Sequence, residues 1–357
     1  MPDAPFRLVV DLSAHGYGHL GQSAPWLNAL VRNNPRLEMV VRSELPRSKL
    51  GERLNFDFDH RPLETDATIF LRDGFEIDWR KTKQAFHDLM DNFDAHVDAE
   101  IERLASLQAN ALISNTGFVA IAAANALEIP SVVASSLNWA DIFSYHADGS
   151  AYDAEHIGLA RNAYKRASSY VAITPGILPE WHPRVQPIGP ISAVGQNRRA
   201  QIAQVLGIDE TAAWVVYAFG RDVPAAPASP PHNRNFVLFT PDAWDLPHGI
   251  KIGAVPFDFI DIVASSDIVI SKPGYGIISE ACCHDKKLVL LTREGWAETD
   301  ALVDWTKNIG LLYGQYGCLD EIPLENVATW KPDSQKVTSL HLAGAHATQV
   351  IENAIYA

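Results

Sequence analysis

Apolar positions along this chain fall into blocks of two kinds that take turns. FRLVVDL (residues 6–12) and LEMVVRS (37–43) are compact apolar runs, the pattern of strands covered on both faces. Between them QSAPWLNALVRN sets Trp26, Leu27, Leu30 and Val31 on one helical face, and Asn33, Asn34 and Pro35 end that helix. FDFDH and ATIFLRD read as short strands. Phe86, Leu89, Met90, Phe93, Val97, Ile101 and Leu104 recur at 3.6-residue spacing and predict one long helix from about Trp79 to Leu107. NALISN, FVAIAAANAL, PSVVAS and SYVAI then predict strand, helix, strand and strand.

Residues 174–200 break the pattern with five prolines and read as a connector. Alternation resumes beyond it. AWVVYAFG, NFVLFT, GIKIGAV, DIVISK and KLVLLT are strand-like, while DFIDIVASS and GIISEACCH are helical. A last helix is expected from about Ser334, with Val337, Leu340, Leu342 and Ile351 inward. Strands alternating with helices imply parallel sheets with right-handed crossovers, here two Rossmann-like α/β domains. The expected boundaries are 1–186, a linker at 187–200, 201–333 and a C-terminal helix at 334–357.

Composition narrows the function classes. With 29 basic and 43 acidic residues the formal charge is −14, which argues against nucleic acid or an anionic membrane as the main partner. It leaves room for a local basic pocket. Cys282, Cys283 and Cys318 form no CxxC, so neither a disulfide framework nor a zinc site is expected. DFDH at 57–60 splits its Asp and His side chains between two strand faces, so no metal is expected there. The start lacks a signal-peptide pattern, and no apolar stretch is long enough to span a bilayer. A cytoplasmic protein is the expectation; oligomeric state is left open.

Two loops carry chemistry. AHGYGHLGQS (14–23) follows the first strand, and Gly16, Gly18 and Gly21 spell GxGxxG, the dinucleotide fingerprint. Arg42 and Ser43, ending the second strand, could hold a 2′-phosphate, which keeps an NADP-dependent oxidoreductase as one reading. His15 and His19 lie in the same loop. A histidine there sits at the mouth of the sheet with a pKa suited to general-base work, unless it caps the helix or bonds a loop carbonyl. The second loop, KPGYG (272–276), joins a strand to a helix. Amides at a helix N-terminus bind phosphate, glycine permits close approach, and Lys272 adds charge. Glu280, a turn further on, can accept from ribose hydroxyls or be merely solvated.

With these loops and LISNTGFVAIAAANALEIPSVVASSLNWADIF in order, the chain resembles glycosyltransferases of the two-Rossmann GT-B type. That group includes the UDP-glycosyltransferases and the enzyme adding GlcNAc in lipid II synthesis. The glycosyltransferase-like N-terminal domain of plant arabinokinases has similar GHGFGH and K-x-GYGTVSEA loops. The resemblance implies two domains facing a cleft, with the C-terminal helix packing back on the first domain. It implies that His19 deprotonates the acceptor, and that Gly274, Tyr275, Gly276 and Ser279 belong to the donor loop. Glu280 would hold the ribose, and Glu298, in WAETD, the donor sugar. Gly220 in YAFGRD would lie near the phosphates; Arg221, replacing a small residue, would bind diphosphate or point to solvent. Asn115 stands where many relatives have the aspartate that supports the histidine. Asn orients a ring but does not neutralise it. Asp11 or Asp141 could substitute, the acceptor could be acidic, or transfer could be lost. Asn138 and Trp139 are either acceptor-side or core.

The implied activity is inverting, metal-independent transfer from a nucleotide diphosphate sugar, UDP favoured, which is a co-substrate; no cofactor is implied. A non-catalytic nucleotide-sugar-binding regulator and a UDP-sugar epimerase are the alternatives on the same scaffold.

Overall fold

A computed structural model describes residues 6–63, 67, 69–73, 76–220, 223–229, 235–332 and 343–356. It contains two parallel sheets. The first runs in the order Asp59–Arg61, Leu37–Arg42, Phe6–Asp11, Ala111–Ser114, Ser131–Ser135, Ser169–Ile173 and Val185–Ile188. The second runs Gly249–Lys251, Phe236–Thr240, Ala213–Tyr217, Ile268–Ser271, Lys287–Leu291 and Leu312–Tyr316. Leu8, Val9 and Val10 are each 0% exposed, because helices cover both faces of a parallel sheet. Strand order reverses beside Phe6–Asp11 in the first sheet and beside Ala213–Tyr217 in the second. Crevices open beyond the strand ends at such reversals, and both glycine loops leave from there.

Three expectations change. The long helix is two, Trp79–Asp91 and Phe93–Leu107. Between them the Asn92 amide donates to the Asp88 carbonyl at 2.9 Å, and a side chain competing for helix carbonyls ends the helix. The apolar stripe still faces the core, with Phe86, Met90 and Leu104 buried in it. The connector contains a strand: Val185–Ile188 pairs in parallel with Ser169–Ile173 and closes the edge of the first sheet. An edge tolerates Pro187, which has no N–H to give. Of GIKIGAV, only Gly249–Lys251 is strand; Ile252–Ala254 is a turn of 3-10 helix.

The last helix, Ala343–Tyr356, packs on the first domain. Tyr356 meets Phe6 edge-on at 5.1 Å, and Asn34 donates to Glu352 at 2.8 Å. Residues 333–342, including Val337, Leu340 and Leu342, lie outside the described residues.

Candidate active site

The domains enclose a cleft of about 600 Å³. The three glycines of the first loop do separate jobs. Gly16 has φ +100°, a turn that favours glycine. Gly18 touches the opposite domain: a Cβ on Gly276 would stand 3.4 Å from the Gly18 Cα. Among the described residues nothing lies within 4 Å of a Gly21 Cβ. The third glycine of a dinucleotide fingerprint exists for close helix–strand packing, and Gly21 is not in that position. Each loop opens a helix, Gly18–Asn33 and Tyr275–Cys283, whose N-cap residue (Tyr17 or Gly274) gives no side-chain bond. Two positive helix ends therefore meet across the cleft.

His19, second residue of its helix, is half-buried and lines the cleft. His15 lines it too but is held at both ring nitrogens. The Ile69 N–H donates to Nε2 at 3.2 Å, and Ser13 Oγ lies 2.9 Å from Nδ1. An N–H only donates, so Nε2 is the acceptor and the neutral ring carries its proton on Nδ1. His15 thus pins the loop, leaving His19 as the base candidate.

Arg42 is not available to a 2′-phosphate. Its side chain is 1% exposed. It grips Asp11 with two bonds of 2.6 Å each and donates a third to Glu100. Burial opposes its charge, but Asp11 and Glu100 hold its pKa above the ordinary arginine range. The oxidoreductase reading loses its cation, and Asp11 is committed elsewhere than to a histidine. Asp141 accepts from Trp181 at 2.9 Å, Arg161 at 2.9 Å and Asn138 at 2.8 Å.

The two asparagines are also internal. Asn138 is 0% exposed, and its Oδ1 accepts from the Asp141 N–H at 2.8 Å. It caps the Trp139–Tyr145 helix, and Trp139 lies in the core. Both therefore serve packing, not the acceptor face. Asn115 donates to the Ala134 carbonyl at 3.0 Å and to Gln22 at 3.3 Å. Gln22 is one turn beyond His19, so Asn115 braces the helix that carries the histidine. Its Oδ1 is buried with no hydrogen-bond partner among the described residues.

In the second domain Gly220, whose φ is +68°, and Lys272 both line the cleft; Arg221 lies outside the described residues. Tyr275 accepts from the Ile191 N–H at 2.8 Å and donates to the Ile191 carbonyl at 3.1 Å. It ties the loop to the connector, and burial raises its pKa beyond the usual phenol range. Ser279 is buried, donating to the Gly276 carbonyl at 2.9 Å. Glu280 and Glu298 line the cleft yet are 5% and 4% exposed, and burial raises both pKa values.

Each of these carboxylates meets the first domain. Arg53 Nη1 lies 3.2 Å from Glu280 Oε1, and Ser136 Oγ donates to Glu298 Oε1 at 2.5 Å. The Glu298 loop is docked by aromatics: His146 Nε2 donates to the Gly295 carbonyl at 2.8 Å, and Trp79 stacks on His146 at 3.4 Å between ring centroids. Sequence reading missed Arg53, Ser136, Trp79 and His146. No local pattern marks them, because Arg53, Ser136 and His146 find their partners in the other domain and Trp79 acts through His146.

Neither a family model nor a curated protein matches the chain. Solved structures do. The kitacinnamycin glycosyltransferase matches over 99% of this chain and 100% of its own, at TM-score 0.64 and 15% identity. CalG4, the calicheamicin glycosyltransferase, matches over 98% of both chains at 0.62 and 13%. UGT89C1 of Arabidopsis thaliana, complexed with quercetin, matches over 98% and 99% at 0.62 and 11%. The fold is GT-B. At such identities the likeness is one of architecture, two Rossmann-like domains about a cleft, and the site's chemistry rests on its own residues.

Proposed function

We propose that this protein transfers a sugar from a nucleotide diphosphate sugar, UDP favoured, to an acceptor hydroxyl, with inversion. The observation that carries this is the meeting of two glycine loops from opposite domains, each at a helix N-terminus, in a cleft that holds His19, Glu280 and Glu298. Structures of this architecture include UGT89C1 complexed with UDP-L-rhamnose and VinC in complex with dTDP, which supports a pyrimidine nucleotide.

On this reading Glu280 accepts from the ribose hydroxyls, and the Tyr275–Cys283 helix end and Lys272 face the diphosphate. His19 takes the acceptor proton as the new bond forms at the anomeric carbon and the sugar–phosphate bond breaks. Charge then develops on the departing diphosphate, where preorganised amides and a cation stabilise it; such stabilisation is commonly the largest catalytic term. A positioned base contributes about 10²–10⁴-fold. Glu298 holds the donor sugar. Closure of the cleft on the bound donor would keep water from the anomeric carbon, and no metal is needed on this scheme.

The test is thermal stabilisation by UDP, GDP, ADP, dTDP, NADPH and their sugar conjugates. A ligand at 100 times its Kd adds about 2.7 kcal/mol. A rise with one nucleoside diphosphate, lost in Glu280→Ala, is expected; a rise with NADPH alone would sink the reading. With the nucleotide known, donor turnover that needs an acceptor separates transfer from epimerisation. His19→Ala should lower that turnover about 10²–10⁴-fold.

A further inference from the structure

Among the cations lining the cleft, Arg53 is singled out by its position. It belongs to the first domain, yet its guanidinium reaches Glu280 on the second. Its backbone is fixed: its carbonyl accepts from Asn28 at 2.8 Å, its N–H bonds the Leu50 carbonyl at 3.1 Å, and the next residue, Leu54, is buried. Its side chain is 28% exposed and, among the described residues, makes one ion pair, 3.2 Å to Glu280. Nearby Lys49 is occupied by Glu52 at 2.8 Å. A single-ended contact leaves most of a five-donor fork unused, whereas a diphosphate offers that fork two-bond geometry.

The spacing suits an exchange. Glu280 lies five residues along its helix from Tyr275, and at about 1.5 Å per residue that is about 7.5 Å from the helix end. A long arginine side chain spans that distance by changing rotamers. Ribose hydroxyls arriving at Glu280 take the place of its ion pair with Arg53. The displaced guanidinium then has a second anion about one and a half helical turns away.

Resting on the function proposed above, we infer that Arg53 is a diphosphate ligand supplied by the first domain, parked on Glu280 until the donor arrives. Donor recognition then spans both domains, and binding the diphosphate draws the cleft shut. Nucleoside and nucleoside diphosphate must respond oppositely to its loss. A nucleoside has to displace Arg53 and gains nothing from it; a diphosphate recovers the contact.

The experiment is calorimetric titration of the full chain with UDP and with uridine, or with the pair whose base the melting panel selects. Wild type, Arg53→Met and Arg53→Lys are compared. Arg53→Met should weaken UDP about 10-fold or more, the worth of a charge-assisted bond, and leave uridine unchanged or tighter. Arg53→Lys should recover part of the UDP affinity, and the salt dependence of UDP binding should flatten in Arg53→Met. Equal weakening of UDP and uridine, or undiminished UDP binding, would overturn the inference while leaving the transferase reading in place. Wild type that binds none of the four diphosphates would overturn both.

Discussion

Arg42→Met removes the one cation from three buried charges, Arg42, Asp11 and Glu100, while nearly keeping side-chain length and apolar volume. Side-chain exposures are 1% for Arg42, 11% for Asp11 and 0% for Glu100. The variant leaves two carboxylates facing each other in the first domain's interior. Among the described residues Glu100 keeps the rim residue Arg103, at 3.3 Å and 50% exposed, a contact that solvent screens. Removing one partner of a buried ion pair costs about 3–5 kcal/mol. In a domain of about 200 residues that lowers Tm by roughly 6–20 °C. The loss should shrink toward pH 5, because burial already raises the Glu100 pKa and the variant leaves it readier to bind a proton. Adding Asp11→Asn and Glu100→Gln should restore most of the stability at pH 7. Urea unfolding followed by tryptophan fluorescence reads both variants against wild type. A cost below about 1 kcal/mol would refute the reasoning, since a surface pair is worth no more. So would lost NADPH binding at unchanged stability, which would return Arg42 to the role of phosphate ligand.

Three further outcomes are expected. Burial lowers the pKa of His87, His146 and His182 below the usual 6.5. The unfolded chain then binds protons more readily, so stability is full above about pH 6.5 and falls as acid is added; a Tm flat from pH 7.5 to 5 would contradict this. Glu298→Gln relieves a carboxylate whose pKa burial raises, a group that favours folding only while protonated. It should therefore gain roughly 0.5–2 kcal/mol at pH 7 and nothing at pH 4, while donor-sugar turnover falls; a loss of stability at pH 7 would count against it. Gly295 has φ +69°, and a Cβ there would lie 3.2 Å from Trp79 Nε1. Gly295→Ala should cost about 1–3 kcal/mol and lower turnover by shifting the Glu298 loop, measured as Tm and kcat/KM.

What the sequence showed and what it hid divide along one physical line. Compact apolar runs and period-3.6 patterns record which faces of an element are buried, and that is a local property. Both sheets, the helix at the end of the chain and the two glycine loops could be read from it. The helix break at Asn92 is also local, but a polar side chain on an exposed helix face gives no warning that it will take the Asp88 carbonyl. Val185–Ile188 was concealed by proline content that an edge strand tolerates. Site residues are harder, because residue type does not record the partner. Arg42 and Arg53 are both arginines near the first glycine loop in space. One is spent inside the domain on Asp11 and Glu100, the other at the domain boundary on Glu280. Only the fold decides which arginine can meet a phosphate. Asn115 shows the same thing from the other side: in place of an aspartate it braces the His19 helix through Gln22. On the proposed function, proton transfer at His19 would then draw its electrostatic support from the cleft rather than from a buried carboxylate at position 115. Asn115→Asp tests that statement, because a carboxylate there would raise the pKa of the base, and the pH–rate profile of transfer would shift upward.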